Sequence, residues 1–260
     1  MTGFALEAVG LQKSFGALPV TDSVTLRLPS GARTALIGPN GAGKTTLVGL
    51  LSGTIRPDAG RISLGGRDVT RDGSASRVRH GLVRTFQVSS LFARLTVLEN
   101  VFLAVSEHQR ASGGMWQPAG RRRALIDRAE AILERLRLTD HRHQEVARVP
   151  YGVQRLLEIA IALALEPKVL LLDEPAAGIP TDEVSVLLET VESLPSHISI
   201  LMIEHDMHVV RRFATDVNVL VQGRILMAGP PAVVMASPDV RAVYLGQSGQ
   251  SRFAGGAHGA

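Results

Sequence analysis

Cysteine is absent from this chain, which excludes both a disulfide framework and a thiolate metal site and fits a reducing, cytosolic address. Long apolar runs are missing too. The two longest, Ile159 to Leu165 and Val169 to Leu172, are parted by Glu166, Pro167 and Lys168, and neither approaches the roughly 18 residues that a transmembrane helix needs. The opening Met-Thr-Gly-Phe-Ala-Leu-Glu has no basic region followed by an apolar one, so no secretory signal is expected. No internal repeat of about 20 to 50 residues is visible, which excludes a solenoid or propeller. Lysine is scarce, so the net charge of +4 and the pI near 10.1 rest on scattered arginines, a distribution that does not favour a nucleic-acid partner. The one tight run, Arg121-Arg122-Arg123, reads as a solvated helix start in preference to a phosphate-backbone patch.

What remains is the composition of an ordinary globular protein. With 260 residues, 45% of them hydrophobic, the chain can bury a substantial core in one domain, or in one domain with a sub-domain. Strand and helix alternate along it. Thr34 to Ile37 is a short apolar run that ends in Gly-Pro-Asn-Gly, and Thr46 to Leu51 reads as a helix closed by Gly53. Val169 to Leu172 and Ile198 to Ile203 are apolar runs of the kind covered on both faces in a parallel sheet, and ligands of such sheets bind beyond the carboxyl ends of the strands. Val217 to Val221 and Arg224 to Ala228 flank Gln222-Gly223 and suggest an appended hairpin. Between Phe86 and Glu166 the texture becomes helical, most clearly over Arg121 to Leu138, where Leu125, Ala129, Ile132, Leu133 and Leu136 share a face. Ser106 to Gly120 reads as a surface loop whose Trp116 packs locally or meets a partner, and Ser248 to Ala260 as a frayed tail.

The strongest motif is Gly38-Pro39-Asn40-Gly41-Ala42-Gly43-Lys44-Thr45-Thr46, a full match to the phosphate-binding loop. Its glycines let backbone N–H groups approach phosphates, and the helix that follows points the positive end of its dipole at them. Lys44 suits the neutralisation of β- and γ-phosphate charge and the Thr45 hydroxyl suits Mg²⁺. Asp173 and Glu174 follow a buried run. Alone they would read as a solvated pair at a strand end. Beside a phosphate loop they divide the work, Asp173 toward Mg²⁺ through water and Glu174 toward the attacking water. His205 follows the run ending at Ile203. With His208 it could mimic a metal pair, but no third ligand is near, and a hydrogen bond to the γ-phosphate or attacking water is the better reading.

Taken in order, Gly38 to Thr46, Gln87, Tyr151-Gly152-Val153-Gln154, Asp173-Glu174 and Ile203-Glu204-His205-Asp206 resemble the ATPases of ABC transporters. The likeness runs from about Phe4 to Gly246 and is strongest to the ATPase subunits of branched-chain amino acid uptake systems. It is carried by Val83 to Gln87, Leu95 to Asn100, Asp173 to Gly178, Ile203 to Met207, and Ser237 to Val240 with Tyr244 to Gly246. The resemblance implies an α/β P-loop NTPase (RecA-like) core with a parallel sheet, an antiparallel β sub-domain and a helical sub-domain at about 88–165. It implies one nucleotide-binding domain over 4–246, with 247–260 a flexible tail. ATP and Mg²⁺ are the implied cofactors. Phe15 matches the residue that stacks on adenine, Gln87 the glutamine that touches Mg²⁺ and senses the permease, and His205 the switch histidine. Ser89 to Asn100 lies where the family docks the permease's coupling helices.

The implied partners are transmembrane permease subunits, a second ATPase subunit bound head to tail, and a periplasmic or extracellular solute-binding protein reached through the complex, all at the cytoplasmic face of the membrane. In such dimers each phosphate loop is completed by the partner's signature segment. Here that segment reads Val149-Pro150-Tyr151-Gly152-Val153 where the family usually has Leu-Ser-Gly-Gly-Gln. Pro150 brings neither a hydroxyl nor an N–H. The loop after the acidic pair reads Gly178-Ile179-Pro180-Thr181 and lacks the usual aspartate. Relatives in the uptake family also carry altered signatures, so the departures do not imply a dead protein; they do favour a heterodimer with one weakened site over a homodimer. Urea, short amides or other small solutes are the alternative cargo. A soluble ATPase acting on nucleic acid and a purely nucleotide-binding regulator are the alternative functions.

Overall fold

The computed structural model describes residues 3–85, 91–110 and 121–245; Gln87, Trp116 and the tail from 247 lie outside them. The chain divides into two compact units. The first comprises Met1–Leu82, Lys168–Pro175 and Pro195–Ala260, and the second Val83–Pro167 and Ala176–Leu194.

In the first unit, β1 (Phe4–Phe15) and β2 (Leu18–Pro29) form a long hairpin, and β1 pairs on its other side with β4 (Ala59–Leu64), which in turn pairs with β5 (Arg67–Asp68). All these pairings are antiparallel. Successive side chains of a strand point to opposite faces, so Leu6, Ala8, Val24, Leu26, Leu28, Ile62 and Leu64 are buried together on one face. A six-stranded sheet carries the rest of the unit in the order β10 (Arg224–Gly229), β9 (Asp216–Val221), β3 (Arg33–Ile37), β8 (Ser199–Ile203), β7 (Val169–Asp173), β6 (Leu82–Arg84). At β6 the chain leaves the first unit. The pairs β9–β3, β3–β8 and β8–β7 are parallel. Ala35, Leu36 and Ile37, Leu170 to Leu172 and Ile200 to Ile203 are all buried, as strands covered on both faces must be.

The late hairpin is real, since β9 and β10 pair antiparallel, but it is not an appendage. Parallel pairing of Thr34 to Ile37 with Asp216 to Val219 puts β9 inside the sheet, which is why Val217, Val219 and Leu220 are fully buried whereas β10 alternates at the edge.

Helix α1 (Lys44–Ser52) follows β3 and ends at Gly53, whose left-handed φ of 79° lets its N–H reach back to Gly49 and Leu50 carbonyls. The same helix end is held by Arg77 from α2 (Ser74–Arg79). Only 1% of that arginine is exposed. Its guanidinium donates to the carbonyls of Leu50, Leu51, Thr70 and Asp72. Four acceptors, with the Asp72 carboxylate nearby as counter-charge, explain how a charge is tolerated there.

The second unit is helical: α3 (Val97–Arg110), α4 (Arg121–Arg135), α5 (Tyr151–Ala164) and α6 (Thr181–Glu192). Helix α3 runs to Arg110, so the stretch expected to be loop from Ser106 begins as helix. Thr96 and Glu99 start it with a reciprocal capping box, the Thr96 N–H donating to Glu99 Oε2 at 2.7 Å and the Glu99 N–H to Thr96 Oγ1 at 3.2 Å. The bonds that the Thr96 N–H and hydroxyl donate to the Glu99 carboxyl hold it below its ordinary pKa. On α4, Leu125, Ala129 and Leu133 are buried, with Leu136 just beyond it and Ile132 half-buried. The stretch Ala176–Leu194 joins this unit, outside the helical stretch read between Phe86 and Glu166.

Replacing Arg77 by Met should take the charged donor from the Leu51 carbonyl, leave the Leu50 carbonyl only its 3.4 Å bond from the Gly53 N–H, and cost about 3 kcal/mol, since hydrogen bonds to charged groups contribute roughly 1.5–3 kcal/mol. Urea denaturation reads this directly. An unchanged midpoint would mean that α1 does not depend on the arginine.

Candidate functional site

The phosphate loop occupies the turn between β3 and α1, and backbone crowding decides which residues it can contain. A Cβ on Gly38 would lie 2.2 Å from the Leu220 carbonyl oxygen of β9. Gly43 has a φ of 101°, and a Cβ there would lie 2.7 Å from the Val20 carbonyl oxygen of β2. The Gly223 N–H donates to the Ala42 carbonyl at 3.0 Å. The loop is thus pinned from β2 and from the β9–β10 turn. No side chain caps α1 at Gly43, and its first turn carries no acid, so its leading N–H groups and dipole are left to an anion.

Sheet register brings the other groups to the same edge. Leu36 pairs with Ile203, and Ile203 with Asp173, so β3, β8 and β7 end level. The Glu174 N–H donates to the Ile203 carbonyl at 2.9 Å and the Glu204 N–H to the Leu36 carbonyl at 3.3 Å. These bonds carry the alignment one residue past the strands. Glu174 adopts a φ of 47°, an uncommon conformation for a non-glycine residue, and its Oε1 lies 3.9 Å from His205 Nδ1. Lys44 Nζ donates to the Gly38 and Pro39 carbonyls at 2.6 and 3.0 Å. Burial lowers the Lys44 pKa, and the Glu174 and Asp173 carboxylates partly offset that.

One residue of this cluster had been given no role from the sequence. Glu204 is 1% exposed, its Oε2 accepts the His205 N–H at 3.1 Å and lies 4.0 Å from His205 Nδ1. His205 therefore stands between an accessible carboxylate and a buried one. Asp206 then caps α7 (Met207–Phe213), its Oδ1 accepting the His208 N–H at 2.7 Å.

Phe15 ends β1 with half its surface exposed and pairs with Leu18, two residues before the Val20 carbonyl that abuts Gly43. A clamp fixes it. Asp58 accepts from Lys13 Nζ and from the Ser14 N–H, both at 2.7 Å, and the Lys13 ammonium lies 5.6 Å from the Phe15 ring centroid. Those hydrogen bonds, Lys13 first, hold the Asp58 carboxyl below its usual pKa. Spacing alone gave no sign of this clamp, because its members lie 45 residues apart.

The hard oxygens at the site, the exposed Thr45 hydroxyl and the Asp173 carboxylate, suit Mg²⁺ with water completing its shell. Among the described residues no cluster of three or more His, Cys, Asp or Glu forms a protein-only metal site, and the notion of a His205–His208 metal pair gains no third ligand. The signature segment lies in the second unit. Pro150 is the N-cap of α5 with no side-chain cap, and Tyr151 packs its ring against the left-handed Gly178 and lies 5.0 Å from the Arg155 guanidinium. Arg155 pairs with buried Glu158 at 3.0 Å. Burial raises the Glu158 pKa, and Arg155 opposes that shift.

With a pinned anion-binding loop, a lysine, two carboxylates and a histidine on one edge, the first unit has the parts of a nucleotide phosphate site. Comparison with known proteins agrees. Residues 21–177 match the ABC transporter family. The chain is 40% identical to the high-affinity branched-chain amino acid transport ATP-binding protein LivG of Salmonella typhimurium, over 92% of this chain and 96% of that one. It is 36% identical to BraF of Pseudomonas aeruginosa, a protein of the same description, over 94% and 98%. A crystal structure of the ADP conformation of an ATP-binding cassette from an ABC transporter superposes with a TM-score of 0.84 at 29% identity, covering 95% of this chain and all of that one.

Replacing Gly43 by Ala should strain the loop, since left-handed backbone costs a residue with a Cβ roughly 1–2 kcal/mol before the clash with Val20 is counted. ATP affinity measured by fluorescence titration should fall. Unaltered affinity together with an unaltered melting temperature would show that the Val20 carbonyl does not set the loop.

Proposed function

This chain belongs to the ABC transporter family as one of its ATPase subunits, and from that premise we propose that it powers the uptake of branched-chain or other hydrophobic amino acids. The observation that carries the reading is the level ending of β3, β8 and β7, which gathers Lys44, Asp173, Glu174 and His205 around one phosphate loop. The named cargo of LivG and BraF supports the choice of substrate.

In this reading the loop N–H groups from Gly38 to Thr46 and the α1 dipole hold the β- and γ-phosphates of ATP, and Phe15 stacks on the adenine. Lys44 leaves its two loop carbonyls to meet phosphate charge. Glu174 accepts a proton from the attacking water, and His205 hydrogen-bonds the γ-phosphate or that water. Thr45, Asp173 and Gln87 would hold Mg²⁺, which when bound offsets the negative charge of the phosphates. Buried Glu204 keeps the His205 backbone in place by accepting its N–H.

No helix among the described residues is long and apolar enough to cross a membrane, and we place the subunit peripherally, on the cytoplasmic face of a permease pair that receives cargo from a solute-binding protein. The docking surface is the segment Ser89 to Asn100. Phe92 is 60% exposed there, yet its backbone is fixed by buried Asn100, whose side chain accepts the Phe92 N–H at 3.0 Å and donates to the Phe92 and Thr96 carbonyls. An exposed aromatic on a rigid support suits a permanent partner. Pro150 has no hydroxyl to offer the γ-phosphate of an opposing subunit, so the second ATPase is a different chain with an intact signature. This chain's own Tyr151, Gly152 and Val153 still cap the partner's loop.

ATP hydrolysis by the purified chain, with and without a candidate second ATPase and permeases, tests the reading. Turnover should rise on assembly and fall about 10²- to 10⁴-fold in Glu174→Gln, the usual contribution of a general base, while that variant still binds ATP. Lys44→Ala should weaken ATP binding itself. Full turnover by the chain alone would overturn the heterodimer, and full turnover in Glu174→Gln would remove that residue from the chemistry.

A further inference from the structure

A cavity of about 590 Å³ lies within the first unit, between α7 and the two short helices α8 (Pro231–Ala236) and α9 (Pro238–Leu245). None of the residues in the phosphate site lines it. Its volume is within the range of small-molecule clefts, and its lining is one-sided in charge. Among the described residues Arg211, Arg241 and His208 face it, no carboxylate does, and the remaining wall is apolar, with Met207, Met235 and Pro231 among its members. Arg241 spends its Nε on the Met235 carbonyl at 3.0 Å. The side chains of His208 and Arg211 make no hydrogen bond or ion pair among the described residues. Some cations elsewhere on this unit's surface are matched, as Arg27 is by Glu7 and Arg224 by Asp22.

From this juxtaposition we propose that the cavity binds a small organic anion, a carboxylate on an apolar body without an ammonium group, and that its occupancy regulates ATP turnover. The guanidinium of Arg211 receives the carboxylate in the geometry that suits planar oxyanions, and Met207 and Met235 offer adaptable apolar surface to the chain behind it. With no carboxylate among its described lining residues, the cavity disfavours zwitterions. The ammonium of a free amino acid would meet two guanidiniums and find no counter-charge. The cavity therefore discriminates against the proposed cargo itself and in favour of its deaminated analogues. Two of its lining residues, Met207 and His208, form the first turn of α7, directly after His205 and the Asp206 cap. An occupant thus bears on the helix that starts at the catalytic histidine's turn.

The binding half stands on the cavity alone, and the regulatory half rests on the ATPase reading, so the two are measured separately. Isothermal titration of the purified full chain with isocaproate, with leucine and with inorganic phosphate tests binding. Isocaproate is leucine without its ammonium, and it should bind where leucine does not, with phosphate much weaker for want of an apolar body. Arg211→Gln should weaken isocaproate roughly tenfold or more, as loss of one charge-assisted hydrogen bond does. Ala232→Glu, at an exposed lining position, should abolish binding with an unchanged melting temperature. Equal binding of leucine and isocaproate, or unchanged binding in both variants, would overturn the site. ATP turnover by the assembled transporter should shift on adding isocaproate and lose that shift in Arg211→Gln. Binding without any shift would overturn the regulatory role, whereas absence of turnover in the untreated assembly would fault the transporter reading instead.

Discussion

Parallel pairing with level ends is the constraint from which the site follows. Leu36, Ile203 and Asp173 stand side by side across three strands, and the backbone bonds from Glu174 to Ile203 and from Glu204 to Leu36 extend that alignment into the turns. A slip of one residue in β7 would send Asp173 to the other face of the sheet, because side-chain direction alternates along a strand. The buried apolar runs that hold the register are therefore part of the chemistry. Leu170 to Leu172 and Ile200 to Ile203 contribute position, and in the proposed mechanism the acids and histidine contribute reactivity.

Around that edge the structure uses backbone as its means of exclusion. Leu220 and Val20 present carbonyl oxygens to Gly38 and Gly43 at distances that no Cβ could tolerate. The loop's glycines are thus required twice over, once for the approach of phosphates and once for the fit against β9 and β2. The end of α1 is treated in the same way from the other side, where Arg77 gathers four carbonyls. A helix fixed at both ends keeps its dipole aimed.

Much of this was legible in the sequence because it is local. The phosphate loop, the apolar strand before Asp173 and the strand before His205 each announce themselves within a dozen residues, since strand burial and loop geometry leave short patterns. The parts that escaped depend on distant partners. Glu204 reads as an ordinary polar residue beside a histidine, and its burial follows from the fold around β8. Lys13 lies in β1 and Asp58 in the bend before β4, and neither spacing nor charge run ties them to Phe15. The hairpin of β9 and β10 was visible from Gln222-Gly223, yet its place beside β3 was not, because a buried edge and a buried centre carry the same apolar signature. The stretch Ala176–Leu194 follows an acidic pair that belongs to the first unit, and nothing in its composition signals that it joins the second.

The path of the chain between its two units also governs its synthesis. Strand β3 leaves the ribosome early, but both of its neighbours in the sheet, β8 and β9, are encoded more than 160 residues later, beginning at Ser199 and Asp216 against Ile37. Until they emerge, Ala35 to Ile37 have no strand to pair with, and the helix behind the phosphate loop has no sheet to lie on. Long-range pairing of this kind is slow and leaves apolar edges open while it waits. The nascent chain is consequently a natural client for chaperones, and truncation before β8 would leave the phosphate loop's strand without either neighbour in the sheet.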